Sequence, residues 1–397
     1  MSLAAEAAAT VRAAPAVPAG SKPAEGALAV HTAAFAAFDA SAWEAVAPER
    51  RTPMQQHIWA RAAAETYGPG GEAAVVAVGP REVPHALAPL TRTPGPAAHL
   101  RLLGAEEISE SVEVAYRSTE ALDALARGLA ATDMPIRFGH YLADTPFIDA
   151  LRRAYRGRGI VVARQLHVRG CPSIQLDRSW LDPETHFSSR RRSDLRRMQR
   201  TAERMGRVTA EILAPTRETV AAIVDEAMAV EAEGWKGRAG TALLRDTALA
   251  RFYRRYTELA AEAGILRVAF LRIDGVPAAM QLALETENRF WLLKIGYDER
   301  FRKCSPGNLL IRETIRHAAS RGLASYEFLG KEATWTEVWT TVARPVVALR
   351  TYPFNLRGAV MAAADACHLA RQKLADRLER RAISRQQPAP TGEVSDA

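Results

Sequence analysis

Residues 266–352 read as three strand-like segments, a basic loop and a helix, and this order constrains the fold more than any other feature of the chain. Residues 266–273 alternate and are rich in β-branched and aromatic side chains, Asp274-Gly275 signals a hairpin, and 276–284 return as a second strand. Glu287-Asn288 makes the next turn, and 289–297 (RFWLLKIGY) form a third strand. The loop Arg302-Lys303-Cys304-Ser305-Pro306-Gly307 comes next. Leu309, Leu310, Ile311, Thr314, Ile315 and Ala318 then mark a helix that Gly322 ends. Residues 325–329 predict a fourth strand, 334–339 a short helix and 345–352 a last strand, for an order of β-β-β-α-β-α-β.

The loop has the chemistry of a phosphate site. It brings two cations and several backbone N–H groups to a helix start, where partial positive charge and unsatisfied donors favour an anion. Pro306 lacks an N–H that the first helical turn does not need, and its fixed φ preorganises that turn. Gly307 lets backbone approach a ligand closely.

Three strands, a phosphate-type loop and a helix in this order resemble the core of the GNAT acyltransferases. That family reads Gln/Arg-x-x-Gly-x-Gly/Ala at its pyrophosphate loop. Here Arg302-x-x-Ser305-x-Gly307 keeps the cation and the last glycine and places serine in the middle. The flanks resemble a narrower branch, the CelD-like proteins of cellulose or exopolysaccharide biosynthesis, related in architecture to the FemAB peptidyltransferases. The resemblance rests on His186-Phe187-Ser188-Ser189-Arg190-Arg191-Arg192, on Glu231-x-x-Gly234-Trp235-Lys236-Gly237, and on Glu327-Phe328-Leu329-Gly330 with Trp335-x-x-x-Trp339. Glu327 stands where the branch has aspartate, Lys331 replaces a glycine, Trp335 a tyrosine and Thr336 a lysine, so the departures fall on acid–base positions.

The resemblance implies an α/β (α+β) fold of two tandem GNAT-like units, mixed sheets flanked by helices, with the acyl-CoA site in the second unit. The expected division is a leader over 1–27, a degenerate first unit over 28–180, the acyltransferase unit over 181–357, and a basic helix with a disordered tail over 358–397. Trp43, the run 51–59, Ala88-Pro89-Leu90 and 100–104 carry the likeness in the first unit, which has no phosphate loop. Acetyl-CoA or another acyl-CoA is the expected co-substrate. Its predicted contacts are Leu293, Lys294, Ile295, Arg302, Lys303, Ser305, Gly307 and Asn308, with a backbone N–H near 293–295 as oxyanion donor.

Amine acylation needs a proton acceptor, alignment of the amine with the thioester and donors for the developing oxyanion. Direct attack needs no nucleophilic side chain, consistent with a sequence lacking a GxSxG motif. Glu327, at a strand end, is the first candidate base and Glu231 the second; Tyr326 or water would replace the family's tyrosine acid. Val220, Ile223, Val224, Ala227 and Met228 form a core-facing helical stripe ending at Glu231 and Glu233. Carboxylates beside an indole suit a cationic amine. The expected acceptor wall is therefore Glu233, Trp235, Lys236, Trp335 and Trp339, with an ordinary helix end as the alternative.

The length of 397 residues suits two to three domains, and residues 1–27, dominated by alanine, proline and glycine, read as disorder rather than a signal peptide. No stretch is apolar for long enough to span a bilayer, and three widely spaced cysteines argue against a disulfide framework or a zinc site. Cytoplasm is the expected compartment, and Cys304 reads as a structural thiol, a pKa lowered by the surrounding positive charge being the alternative.

The net charge of +8 concentrates in two helices. The first, with Arg190, Arg191, Arg192, Arg196, Arg197, Arg200 and Arg204, fits a solvated face, a phosphate contact or RNA; scarce aromatic residues disfavour nucleic acid. The second, over about 358–384, fits docking on the domain or a frayed tail, with membrane-surface contact or a coiled coil as the alternatives. The expected partners are thus acyl-CoA and an amine of a small molecule, amino sugar or polysaccharide precursor. Aminoacyl-tRNA-dependent transfer of the FemAB kind and a non-catalytic role in exopolysaccharide assembly are the alternatives.

Overall fold

A computed structural model describes residues 28–46, 52–68, 73–166, 170–234, 246–330 and 333–386. The expected leader over 1–27 and the tail beyond 386 lie outside the described residues. The strands of the first half are β1 (Val30–Ala34), β2 (Ala73–Val78), β3 (Ala86–Arg92), β4 (Leu100–Leu102), β5 (Ala115–Tyr116), β6 (Ile136–Leu142) and β7 (Gly159–Gln165). Its helices are α1 (Ala40–Glu44), α2 (His57–Tyr67), α3 (Ala105–Ile108), α4 (Thr119–Ala131) and α5 (Phe147–Ala154). The second half contributes β8 (Cys171–Gln175), α6 (Ser189–Met205), β9 (Val208–Leu213), α7 (Val220–Ala232), α8 (Thr247–Glu262), β10 (Leu266–Ile273), β11 (Val276–Thr286) and β12 (Arg289–Tyr297). It closes with α9 (Pro306–Ser320), β13 (Ser325–Glu327), β14 (Ala343–Arg344), β15 (Val346–Pro353) and α10 (Leu356–Gln386).

These strands form two mixed sheets flanked by helices, the α/β arrangement expected. The first runs β1-β2-β3-β4-β6-β15-β7 with β5 beside β3, and the second runs β9-β10-β11-β12-β13-β8-β14. Both have the same pattern of directions. Four antiparallel strands come first, then a parallel step (β4 to β6, β12 to β13), and two antiparallel strands close the sheet.

The sixth place in each sheet is filled by a strand from across the expected boundary at 180/181. β15 does not close the second sheet, as its place in the sequence suggests, but lies between β6 and β7 in the first; β8 takes the reciprocal place beside β13. The physical reason is burial on both faces, since Val346, Val347, Ala348 and Leu349 are all buried and suit a central strand. Residues 334–339 are also a correction: they form hydrogen-bonded turns around Thr336 rather than a helix.

Helices α7 and α8 cover one face of the second sheet. Their Val224, Met228, Phe252 and Tyr256 share a core with Val268, Met280 and Trp291, and this core continues into the first unit through Trp59, whose ring stacks edge-on to Phe252 at 4.8 Å. The other face carries α9 and α6, with Leu309, Leu310 and Ala202 against Ala269 and Leu271. The last helix, α10, is anchored at its start by Asp365, which pairs with Arg350 and accepts from the Tyr352 hydroxyl at 2.7 Å. No helix among the described residues is long and apolar enough to cross a membrane.

Candidate active site

A cleft of about 400 Å³ opens where β12 leaves the sheet, between the end of α7 and the start of α9. Its lining includes Glu231 and Gly234 on one side, Ile295, Gly296 and Tyr297 along the strand, and Arg302, Ser305, Gly307 and Asn308 at the helix start, with Trp335 across from them.

The strand is bent into this position by a bulge. Leu292 pairs with Ala283 and Lys294 with Leu282, so Leu293 is the extra residue, and such a bulge re-aims the side chains beyond it. Gly296 then allows the helix to approach: a Cβ there would lie 2.8 Å from the Glu231 Cα, and one on Gly234 would lie 2.7 Å from the Tyr297 carbonyl oxygen. The two glycines thereby seat the end of α7 on β12 and deliver the Glu231 carboxyl, 2% exposed, to the cleft wall. A glycine inside a strand signals close backbone approach, and this signal was present at Gly296.

At the other end, Asp298 caps the short helical turn Glu299–Cys304, and Ser305 adopts the left-handed conformation (φ 49°) that turns the chain into α9. Pro306 is the first helical residue, as its missing N–H requires. Asn308 is held from outside by Trp339, whose indole N–H donates to its Oδ1 at 3.4 Å. The first-turn N–H groups of α9 and the exposed Arg302 make this end of the cleft attractive to an anion.

The sequence-derived candidates separate into two groups. Glu231, Ile295, Arg302, Ser305, Gly307, Asn308 and Trp335 converge on the cleft. The other described candidates are not part of its lining. Leu293 is buried in the core, and Lys294 turns its ammonium to the Tyr253 ring, 5.0 Å from the centroid. Lys303 and Glu233 are exposed, and Trp339 is buried behind Asn308. Trp235 and Lys236 lie outside the described residues.

Glu327 also lies away from the cleft lining. It pairs with Trp291, four residues up the strand from Ile295 and so about 13 Å away at the usual rise. Its carboxylate accepts from the Ser325 hydroxyl at 2.6 Å and sits 3.7 Å from Arg289, which is a structural setting. Tyr326 is fully buried between Thr314 and Gln281, and burial raises its pKa well above the ordinary phenol value. Cys304 is in the setting of a structural thiol rather than a thiolate: burial raises its pKa, and its thiol donates to the Phe301 carbonyl at 3.1 Å.

Residues 189–337, which hold the bulged strand, the cleft and α9, match the family described as Acetyltransferase (GNAT) domain. The matched segment is that of an N-acyltransferase. Among solved structures, FemX matches with a TM-score of 0.55 at 14% identity, over 80% of this chain and 96% of that one. A conserved protein of unknown function from Bacteroides thetaiotaomicron matches with 0.52 at 11% identity, over 80% of this chain and 97% of that one. A tandem GNAT protein from the clavulanic acid biosynthesis pathway matches with 0.44 at 12% identity, over 82% and 98%. The first two likenesses show that the fold extends beyond the GNAT domain to both units. No curated protein matches the sequence.

Proposed function

We propose that the protein transfers an acyl group from acyl-CoA, acetyl-CoA being the simplest, to an amine of a small molecule, amino sugar or polysaccharide precursor. The observation that carries this reading is a single cleft with an anion-attracting helix start at one end and a buried carboxylate, Glu231, at the other. The CoA pyrophosphate would sit on the first turn of α9 beside Arg302 and Ser305. The thioester would then lie along Ile295–Tyr297. Glu231 receives the proton as the amine attacks the carbonyl carbon, a C–N bond forms, the C–S bond breaks and the thiolate leaves to take a proton from solvent.

This reading moves the base from Glu327 to Glu231, because a general base must reach the proton it abstracts. The CelD-like sequence features at Glu231–Gly234 and Glu327–Gly330 favour a saccharide amine, and the cytoplasm is the compartment where acyl-CoA would be met. Aminoacyl-tRNA is the second reading. It is favoured by α6, whose exposed Arg190, Arg196, Arg200 and Arg204 border the segment bearing Arg302.

Mass spectrometry of ligands copurified with the protein, with calorimetry against acetyl-CoA, tests the choice. CoA or an acyl-CoA in the purified protein and saturable acetyl-CoA binding are expected. Copurified tRNA with no acetyl-CoA binding would overturn the proposal in favour of the second reading.

A further inference from the structure

The stretch after α3 in the first unit corresponds in topology to the cofactor loop after β12, since each comes after the fourth strand of its sheet. It is buried and polar, with Glu110, Ser111 and Glu113 each 5% exposed or less. It also reaches into the second unit. The Gly330 N–H donates to Glu110 Oε2 at 3.3 Å, and Ser111 Oγ lies 3.6 Å from the Cys171 thiol, which points at the Gly330 carbonyl. Leu329 and Gly330 both have left-handed backbones (φ 53° and 59°), a costly turn for leucine that surroundings must hold in place.

We propose that Glu110 is a positioning residue of the acyl-transfer cleft, a carboxylate that the first unit supplies to hold the Leu329–Gly330 turn through the Gly330 N–H and whose charge acts on Lys294 of the bulged strand. This inference rests on the reading of the cleft as an acyl-CoA site. Trp335 lies five residues beyond Gly330 and Lys294 precedes Ile295 on the cleft wall, so the turn that Glu110 holds and the strand its charge acts on both lead to lining residues.

The electrostatics support a role other than stability. Burial pushes the Glu110 carboxyl up to about 7, with the Lys294 ammonium and the Gly330 N–H pulling the other way. Tyr253 and Tyr256 of α8 and Cys171 of β8 face it, their own pKa values raised by burial; Glu231 of α7 also acts on Tyr253. A carboxyl whose folded pKa is raised binds its proton more tightly in the native state, so the protein loses stability as pH rises from about 4.5 to about 7. An ionised Glu110 therefore costs stability at pH 8, the reverse of what a structural carboxylate contributes.

Glu110→Gln keeps the shape and an acceptor for Gly330 while removing the charge. Two measurements on the full chain decide the matter. The first is acetyl-CoA calorimetry from pH 6 to pH 8. Wild-type affinity is expected to fall about tenfold towards pH 6, one pKa unit of coupling. Glu110→Gln should show the low affinity at both ends, and Glu110→Asp should recover part of the pH dependence. The variant's unfolding midpoint at pH 8 should equal or exceed that of wild type. Wild-type affinity and pH dependence in Glu110→Gln would overturn the inference, as would lost affinity accompanied by a lowered midpoint.

The second measurement is amide hydrogen exchange over residues 293–297 and 328–330 at pH 8. Exchange should be faster in Glu110→Gln in both segments. If wild type binds no acetyl-CoA at any pH, the acyl-CoA reading fails, and unchanged exchange would then independently overturn the role given to Glu110.

Discussion

At the exit from their fourth strands the two sheets diverge. In the first, Gly104 (φ 74°) leads into the short helix α3, whose Glu106 and Glu107 occupy the first turn and pair with Arg101. The helix that crosses to β6 there is α4, capped by Ser118 with Glu120 in its first turn. In the second, Ser305 (φ 49°) leads into the fifteen-residue helix α9 beside Arg302, with no acidic residue in its first turn. The strand order and directions of the two sheets are the same, so architecture alone does not make an anion site. What differs is the charge at the helix starts and a bulge in the strand before them. The first unit repeats the strand order of the second and carries acidic side chains at its helix start.

The largest expected effect would break the comparison at its base. If the exchange of β8 and β15 holds the two sheets together, a chain ending at residue 345 should not fold. Burying Val346, Val347 and Leu349 is worth about 1.5–3 kcal/mol each, which rivals a total stability of about 5–15 kcal/mol. Circular dichroism during thermal unfolding should show no cooperative transition; a sharp one would mean that the first sheet closes without β15.

Next in size is the test of the base. Glu231→Gln should keep acetyl-CoA affinity and lower turnover by about 100- to 10,000-fold, the range for loss of a general base. Glu327→Gln should act on stability instead, by about 1–2 kcal/mol for a disturbed buried hydrogen bond, with turnover within about tenfold, smaller than a base's contribution. A pH–rate profile of both variants with an identified acceptor amine would reverse the assignment if Glu327→Gln were the inactive one.

The smallest effect concerns the first unit's acidic turn. Replacing Glu106 and Glu107 together by Gln removes partly exposed ion pairs with Arg101, worth at most about 1 kcal/mol each, and should leave acetyl-CoA affinity unchanged. A measurable change in the binding isotherm would mean that the first unit's helix start takes part in cofactor binding.

The legibility of these features in sequence depends on how local each one is. The hairpin at Asp274-Gly275, the bulk of β12 and the Pro306 start of α9 depend on a few adjacent residues and were readable. Arg302, Ser305, Gly307 and Asn308 were readable for the same reason, as parts of one loop. Glu327 falls outside the cleft lining because strand position indicates an end but not its distance from a cleft four residues along a neighbouring strand. Lys294 was drawn away from the cleft by a bulge that shifts side-chain alternation, and nothing in RFWLLKIGY marks that bulge. The exchange of β8 and β15 was unreadable in principle, because it pairs segments far apart in the chain, such as Gly159 with Pro353 and Glu327 with Ser173. Glu110 was missed similarly, since its hydrogen-bond partner Gly330 belongs to the other unit.

The most direct test of the central claim is the stoichiometry of acetyl-CoA binding, measured by calorimetry on the full chain and on Arg302→Ala. One site per chain is predicted, weakened about 10- to 100-fold in the variant by loss of a charge-assisted hydrogen bond. Two sites per chain, or one site that Arg302→Ala leaves intact, would contradict the account.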